Sequence, residues 1–121
     1  SMRMKTGKYY IGDPSYVVED QNDWIKLLED TNYFKNKNQS YKGQPIYCGG
    51  TAYGDGCYES NKGKCYGVDA GLLGIMPVEV IDIPETEAEF LGSIETFDKD
   101  FDVEIGKGLF IFGDIIIDTR E

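Results

Sequence analysis

Residues 8–16 read KYYIGDPSY, Lys8 to Tyr16, and bring a strand, a turn and a set of polar groups into one short stretch. Lys8 to Ile11 is aromatic and β-branched, the composition of a short strand. Gly12 permits a tight exit from it. Asp13-Pro14 then opens a turn, because an aspartate side chain accepts backbone N–H bonds while proline presets φ at the second turn position. Ser15 and Tyr16 are left at a rigid corner. Downstream, Tyr53 to Tyr58, YGDGCY, repeats the pattern. Aligned on Gly-Asp, each copy has an aromatic lead-in, a turn former, a small residue and a tyrosine. Two such turns could face one ligand.

Two uses of such a corner compete. It can be a well-capped hairpin with tyrosines half buried against a sheet, or a preorganised rim of hydroxyls, amides and aromatic faces for a flat polar ligand.

Outward from the corner, the patterning predicts an α+β fold: a mostly antiparallel twisted sheet or small barrel with one packed helix, as a single domain over residues 1–121. Ser1 before Met2 reads as an expression scar. Tyr16 to Val18 continues as a short strand. The helix follows, with Trp24, Leu27, Leu28 and Thr31 on one face and Asn22 or Asp23 as its cap. Residues 33–43, YFKNKNQSYKG, have no periodicity and predict a mobile surface loop. They also form a small basic patch, with Lys35, Lys37 and Lys42 flanked by Tyr33 and Tyr41, suited to a small anion with a ring system, against the plainer reading of a solvated loop, which the lysines taken singly favour. Residues 45–53 read as a strand whose Gly49-Gly50 pair marks a bulge or the close approach of a backbone or ligand.

Asn61 to Lys64 is a hairpin turn with lysines at its tip, and residues 70–80 predict a bent apolar strand. After Pro84 an acidic loop or one helical turn is expected. From Phe97 to Ile105 apolar and acidic residues alternate, as in an edge strand or one with a single solvated face. Gly106 to Gly108 turns it back into Leu109–Phe112, an apolar central strand, and Gly113-Asp114 reads as a bulge.

Charge narrows the partners. The chain carries 12 basic and 22 acidic residues and no histidine, a net charge of −10. Residues 1–64 are near neutral and residues 65–121 strongly acidic. Duplex DNA and anionic membranes require a broad basic footprint, so neither is expected as a partner. A small nucleotide reads only nearby charge, because screening confines fields to about 8 Å. No apolar run approaches the length of a membrane span, and no signal-peptide pattern is present. All nine tyrosines lie between Tyr9 and Tyr66, which marks the first half as working surface and the phenylalanine-rich second half as core.

Catalytic chemistry is thinly supplied. The commonest general base is missing. Cys48, Cys57 and Cys65 have no CxxC spacing and read as reduced thiols, with no metal and no cofactor implied. Asp13, Asp55 and Asp69 could hold a divalent ion for phosphodiester hydrolysis, but each stands in a turn, where aspartate has an ordinary structural use. The reading is therefore a binding protein and not an enzyme. Its candidate ligand contacts are Tyr10, Tyr16 and Tyr58 for stacking or hydroxyl bonds, Lys8, Lys62 and Lys64 for phosphates, and Asp13, Ser15 and Asp55 for shaping the turns.

YYIGDPSYVV, Trp24, YGDGCY and YGVDAGLLGIMPVEV together resemble a group of small phage-encoded proteins with an N-terminal GDP-[SC]-YV turn. The likeness covers residues 8–80. Within that group the chain is similar to anti-CBASS sponge proteins. The resemblance implies a bacteriophage immune-evasion protein that sequesters a cyclic dinucleotide such as 3′3′-cyclic GMP-AMP without cleaving it, in the host bacterial cytoplasm. It also implies a homo-oligomer, a tetramer. The alternatives are an acidic protein-binding inhibitor or structural phage protein using the 97–105 strand, and a metal-dependent phosphodiesterase.

Overall fold

The alternation in Tyr9-Tyr10-Ile11 sets the layering. All three side chains are buried. Tyr9 and Ile11 join one core cluster and Tyr10 the other, as the period of two in a strand requires. The strand therefore has a core on each face.

The computed structural model describes residues 2–121; the reading of Ser1 lies outside them. In chain order the elements are β1 (Met2–Met4), β2 (Gly7–Gly12), a 3-10 turn (Pro14–Tyr16), α1 (Gln21–Asp30), β3 (Gln39–Tyr41), β4 (Gln44–Gly50), β5 (Gly56–Glu59), β6 (Cys65–Val68) and β7 (Leu72–Pro77). A second 3-10 turn (Val78–Val80) leads to α2 (Glu85–Leu91), β8 (Ser93–Phe97), β9 (Phe101–Gly106), β10 (Leu109–Phe112) and β11 (Ile115–Asp118). Among the described residues all strand pairings are antiparallel. The sheets have the orders β3-β4-β7-β2-β8, β1-β9-β10-β11 and β5-β6, and none closes into a barrel.

The five-stranded sheet is the middle layer. One of its faces, with Tyr9, Ile11, Tyr47, Leu73 and Ile75, meets Val103, Phe110, Phe112, Ile115 and Ile117 of the four-stranded sheet, and Tyr58, Tyr66 and Val68 of the β5–β6 hairpin complete that cluster. The other face, with Tyr10, Ile46, Cys48 and Met76, packs under Leu27 of α1, Ala88 of α2, Val17 and Phe34. Burying each large apolar side chain contributes about 1.5–3 kcal/mol.

Several expectations need correction. Tyr16 to Val18 is not a strand, because Asp13 caps a 3-10 turn there through the Ser15 N–H. The cap of α1 is Asp20, which accepts from the N–H groups of Asn22 and Asp23. The acidic stretch after Pro84 forms a full second helix, anchored by Ala88. The alternating run Phe97 to Ile105 is two strands: Asp98 to Asp100 turns the chain, and β8 and β9 belong to different sheets. β9 lies between β1 and β10 and so is not an edge, but it does have one solvated face, with Phe101 and Val103 buried and Asp102 and Glu104 exposed. Gly113-Asp114 is the two-residue turn joining β10 and β11.

The division into tyrosine surface and phenylalanine core also fails, since Tyr9, Tyr10, Tyr41, Tyr47, Tyr58 and Tyr66 are all buried while Phe90 is 90% exposed. The hydroxyls of Tyr9, Tyr10, Tyr41, Tyr58 and Tyr66 find partners inside the fold, which is what lets these tyrosines be core residues. Cys57 and Cys65 are joined by a disulfide across the β5–β6 hairpin, with Cα atoms 6.0 Å apart. Only Cys48 is a free thiol.

Candidate anion-binding site

The conspicuous corner is a latch. Asp13 is fully buried, and its carboxylate accepts four hydrogen bonds: Oδ1 from the Ser15 N–H (2.9 Å) and hydroxyl (2.8 Å), Oδ2 from the N–H groups of Asp69 (2.9 Å) and Ala70 (2.8 Å). Tyr10 is wholly enclosed, and its hydroxyl donates to the Asp13 carbonyl at 2.9 Å. Gly12 is glycine because a Cβ there would stand 2.4 Å from that hydroxyl oxygen. Tyr58 is buried too and donates to the Gly54 carbonyl at 2.8 Å. The two Gly-Asp turns do lie close together. The segment Asp69 to Gly71 fills the space between them, with its amides on Asp13 and the Gly71 Cα region against Gly54.

Of the expected contacts at this corner, Tyr10 and Tyr58 have their rings inside the core and Asp13 has no free oxygen. Ser15 is half-buried on Asp13. Tyr16 and Asp55 reach the surface. The Tyr16 hydroxyl donates to Asp69 Oδ2 at 2.7 Å; burial and the Asp69 carboxylate together hold its pKa well above the ordinary phenol range. Carboxylates dominate what remains exposed here, which suits a hydrogen-bond donor better than a phosphate. Nor do Asp13, Asp55 and Asp69 assemble as metal ligands: no group of three such side chains is so placed among the described residues, and the Asp13 oxygens are already occupied by donors.

The three candidate phosphate lysines are dispersed. Lys8 pairs with Glu85 of α2 at 3.1 Å, Lys62 pairs with Asp114 in the β10–β11 turn at 3.0 Å, and Lys64 lies 5.9 Å from the centre of the Tyr66 ring.

Cations without carboxylates gather elsewhere. Among the described residues, Arg3, Lys5, Lys8, Lys26, Lys42, Lys62 and Arg120 each have a carboxylate within 4.0 Å. Lys35, Lys37, Lys64, Lys99 and Lys107 do not. In a chain with 22 acidic residues that is the scarcer condition, and three of these five, Lys35, Lys37 and Lys107, line one pocket of about 190 Å³. The loop from Phe34 to Lys37 forms one wall and Ile105 to Lys107 another, with Tyr47 to Gly50 of β4 between them.

Each wall has a local cause. After α1, Asn32, Tyr33 and Phe34 take three consecutive left-handed conformations, with φ of 51°, 56° and 61°. Such residues are disfavoured by about 1–2 kcal/mol each, so something must hold them. Thr31 does: its buried hydroxyl donates to the Leu27 carbonyl at 2.7 Å and accepts the Phe34 N–H at 3.0 Å, while its carbonyl takes the Asn36 N–H. Phe34 turns into the core beside Trp24. Lys35 and Lys37 are exposed. The expected loop therefore contains a hydrogen-bonded left-handed turn followed by β3. Lys42, its third lysine, instead pairs with Asp82. Lys107 arrives from the other sheet, presented by the Lys107-Gly108 turn between β9 and β10, where φ is 52° and 83°, the two positive angles of a tight hairpin.

The floor is main chain. Gln39 completes β4 beyond the end of β3: its side-chain carbonyl accepts the Cys48 N–H and its amide donates to the Cys48 carbonyl. The Cys48 thiol is buried, which pushes its pKa far above the ordinary thiol range. No family model matches the chain, and no curated protein and no solved structure matches it either.

Proposed function

We propose that this protein binds and sequesters a small phosphate-bearing nucleotide without cleaving it. A cyclic dinucleotide such as 3′3′-cyclic GMP-AMP is the ligand implied by the resemblance to phage sponge proteins, which also implies a homo-oligomer acting in the host cytoplasm. The observation that carries the binding reading is the convergence of Lys35, Lys37 and Lys107 on one pocket with no carboxylate partner. Lysine ammonium groups meet phosphate as compact point charges, and the local field of three of them outweighs distant acidic residues through screening. A pocket of about 190 Å³ engages one phosphate group and leaves the bases outside, where further copies of the chain in the oligomer would cover them. The non-cleaving part of the reading rests on chemistry: the most enclosed carboxylate, Asp13, is saturated with donors, and the Cys48 thiol is held neutral by burial.

The test is melting temperature and calorimetry against a panel of linear and cyclic di- and trinucleotides, with the bound ligand recovered after denaturation. A shift with one cyclic dinucleotide and intact recovery is the expected result. Lys35→Ala and Lys107→Ala should each weaken it about tenfold, the loss of one charge-assisted bond, while Lys99→Ala leaves it unchanged. Degraded ligand would make the protein an enzyme, and no shift across the panel would remove the nucleotide reading.

A further inference from the structure

Neighbouring glycines in β4 pose different questions. Gly49 has a packing reason to be glycine, because a Cβ there would sit 2.8 Å from Cγ2 of Ile105 in the facing sheet. Gly50 has none of that kind. A Cβ there would meet nothing nearer than the Gly71 carbonyl oxygen at 3.9 Å, an ordinary contact, and its φ lies outside the range that excludes side chains. Glycine weakens a strand interior and is kept where another group must approach the backbone closely.

The direction of its main-chain groups says what that group is. Cys48 turns its N–H and C=O away from β7, toward Gln39, whereas the Thr51 N–H donates back to Gly71 at the head of β7. Alternation along the strand then places the Gly50 N–H on the Cys48 side, past the end of β3 and of the Gln39 side chain that extends it. Gly50 is exposed and lines the same pocket as the three lysines.

We infer that Gly50 is a ligand-contact residue, at which one oxygen of a tetrahedral phosphoryl group accepts the main-chain N–H while Lys35, Lys37 and Lys107 neutralise its charge. This rests on the anion-binding reading of the pocket and adds the ligand chemistry: a phosphate ester that offers a free, unbridged oxygen edge, where a flat carboxylate fits less well. A side chain at residue 50 would stand in the approach path without disturbing the protein.

The experiment uses the full chain with inorganic phosphate as probe, at ionic strength matched with sodium chloride, and follows backbone amide resonances. Phosphate is expected to shift the Gly50 amide together with those of Lys35, Lys37 and Lys107. Gly50→Ala should keep the melting temperature of the parent and lose about tenfold or more in phosphate affinity. If the lysine amides respond while Gly50 does not, or if Gly50→Ala binds phosphate as the parent does, the Gly50 contact is overturned and the lysine pocket stands. If no amide around the pocket responds to phosphate beyond the chloride control, both readings fall.

Discussion

At Asp13 four donors converge on one enclosed carboxylate, and the neighbouring residues only make sense around it. Replacing it with alanine leaves the part-buried Ser15, Asp69 and Ala70 amides without their charged acceptor, at about 1 kcal/mol or more for each bond lost. Asp13→Ala should therefore lower unfolding stability in urea by about 3 kcal/mol or more. Asp13→Asn should fall between it and the parent, because an amide oxygen replaces only part of the acceptor capacity. A loss below about 1 kcal/mol in the alanine variant would show that the latch is not what holds the corner. Gly49→Ala should cost about 1–3 kcal/mol by overpacking against Ile105, in contrast with the silent change expected one residue on. The Asp-Pro turn and its Asx bond were legible in the sequence, down to Ser15. Its use was not, because the amides of Asp69 and Ala70 that decide it come from a segment brought near only by the fold. The same holds for Lys107, which joins Lys35 and Lys37 from the opposite sheet.

Local chemistry foretold those elements that local chemistry builds. The apolar stripe of α1, the aromatic and β-branched strand β2 and the Asn-Lys-Gly turn between β5 and β6 all appear where their side chains predict them. The helix α2 was legible only as an acidic loop or one helical turn because its buried side is narrow, with Ala88 its only buried residue. The Cys57–Cys65 bond escaped because hairpin register, not spacing, brings those positions together. That bond closes a short loop, and loop closure of this length contributes about 2–3 kcal/mol through the unfolded chain. Cys57→Ser and Cys65→Ser should each lose about that amount, and the double variant no more than either single one. Thiol titration of the unreduced, denatured protein should find one reactive group, Cys48; three would refute the bond. The left-handed turn before Lys35 yields a prediction of opposite sign. Tyr33 is 62% exposed at φ 56°, so Tyr33→Gly relieves strain and loses little contact. Its stability should rise by up to about 1 kcal/mol; a clear decrease would mean that the ring anchors the turn.

Across the whole molecule the buried acids set an alkaline limit. Tyr10, Tyr16 and Cys48 all have folded-state pKa values raised, burial being the first cause in each. Raised values mean that the folded state holds its protons longer than the unfolded chain does. Their contribution is thus fully present below the ordinary thiol and phenol values of 9.0 and 10.0, and is lost as pH rises from there toward the folded values. Urea midpoints should fall steeply above about pH 10, and Tyr16→Phe should flatten part of that slope. A midpoint independent of pH between 9 and 11 would contradict the burial of Tyr10 and Cys48.

The pairing of β1 with β9, Met2 against Val103, has a further consequence during synthesis. β1 is made long before β9, the strand that receives it, and waits unpaired until then. β2 waits in the same way for β7 and β8 on either side. A nascent chain released early would hold α1 and the β3–β4 and β5–β6 hairpins but neither finished sheet. The two larger sheets thus close only once β8 and β9 have been made, and a chain truncated before β9 leaves β1 an unpaired edge, open to association with other chains.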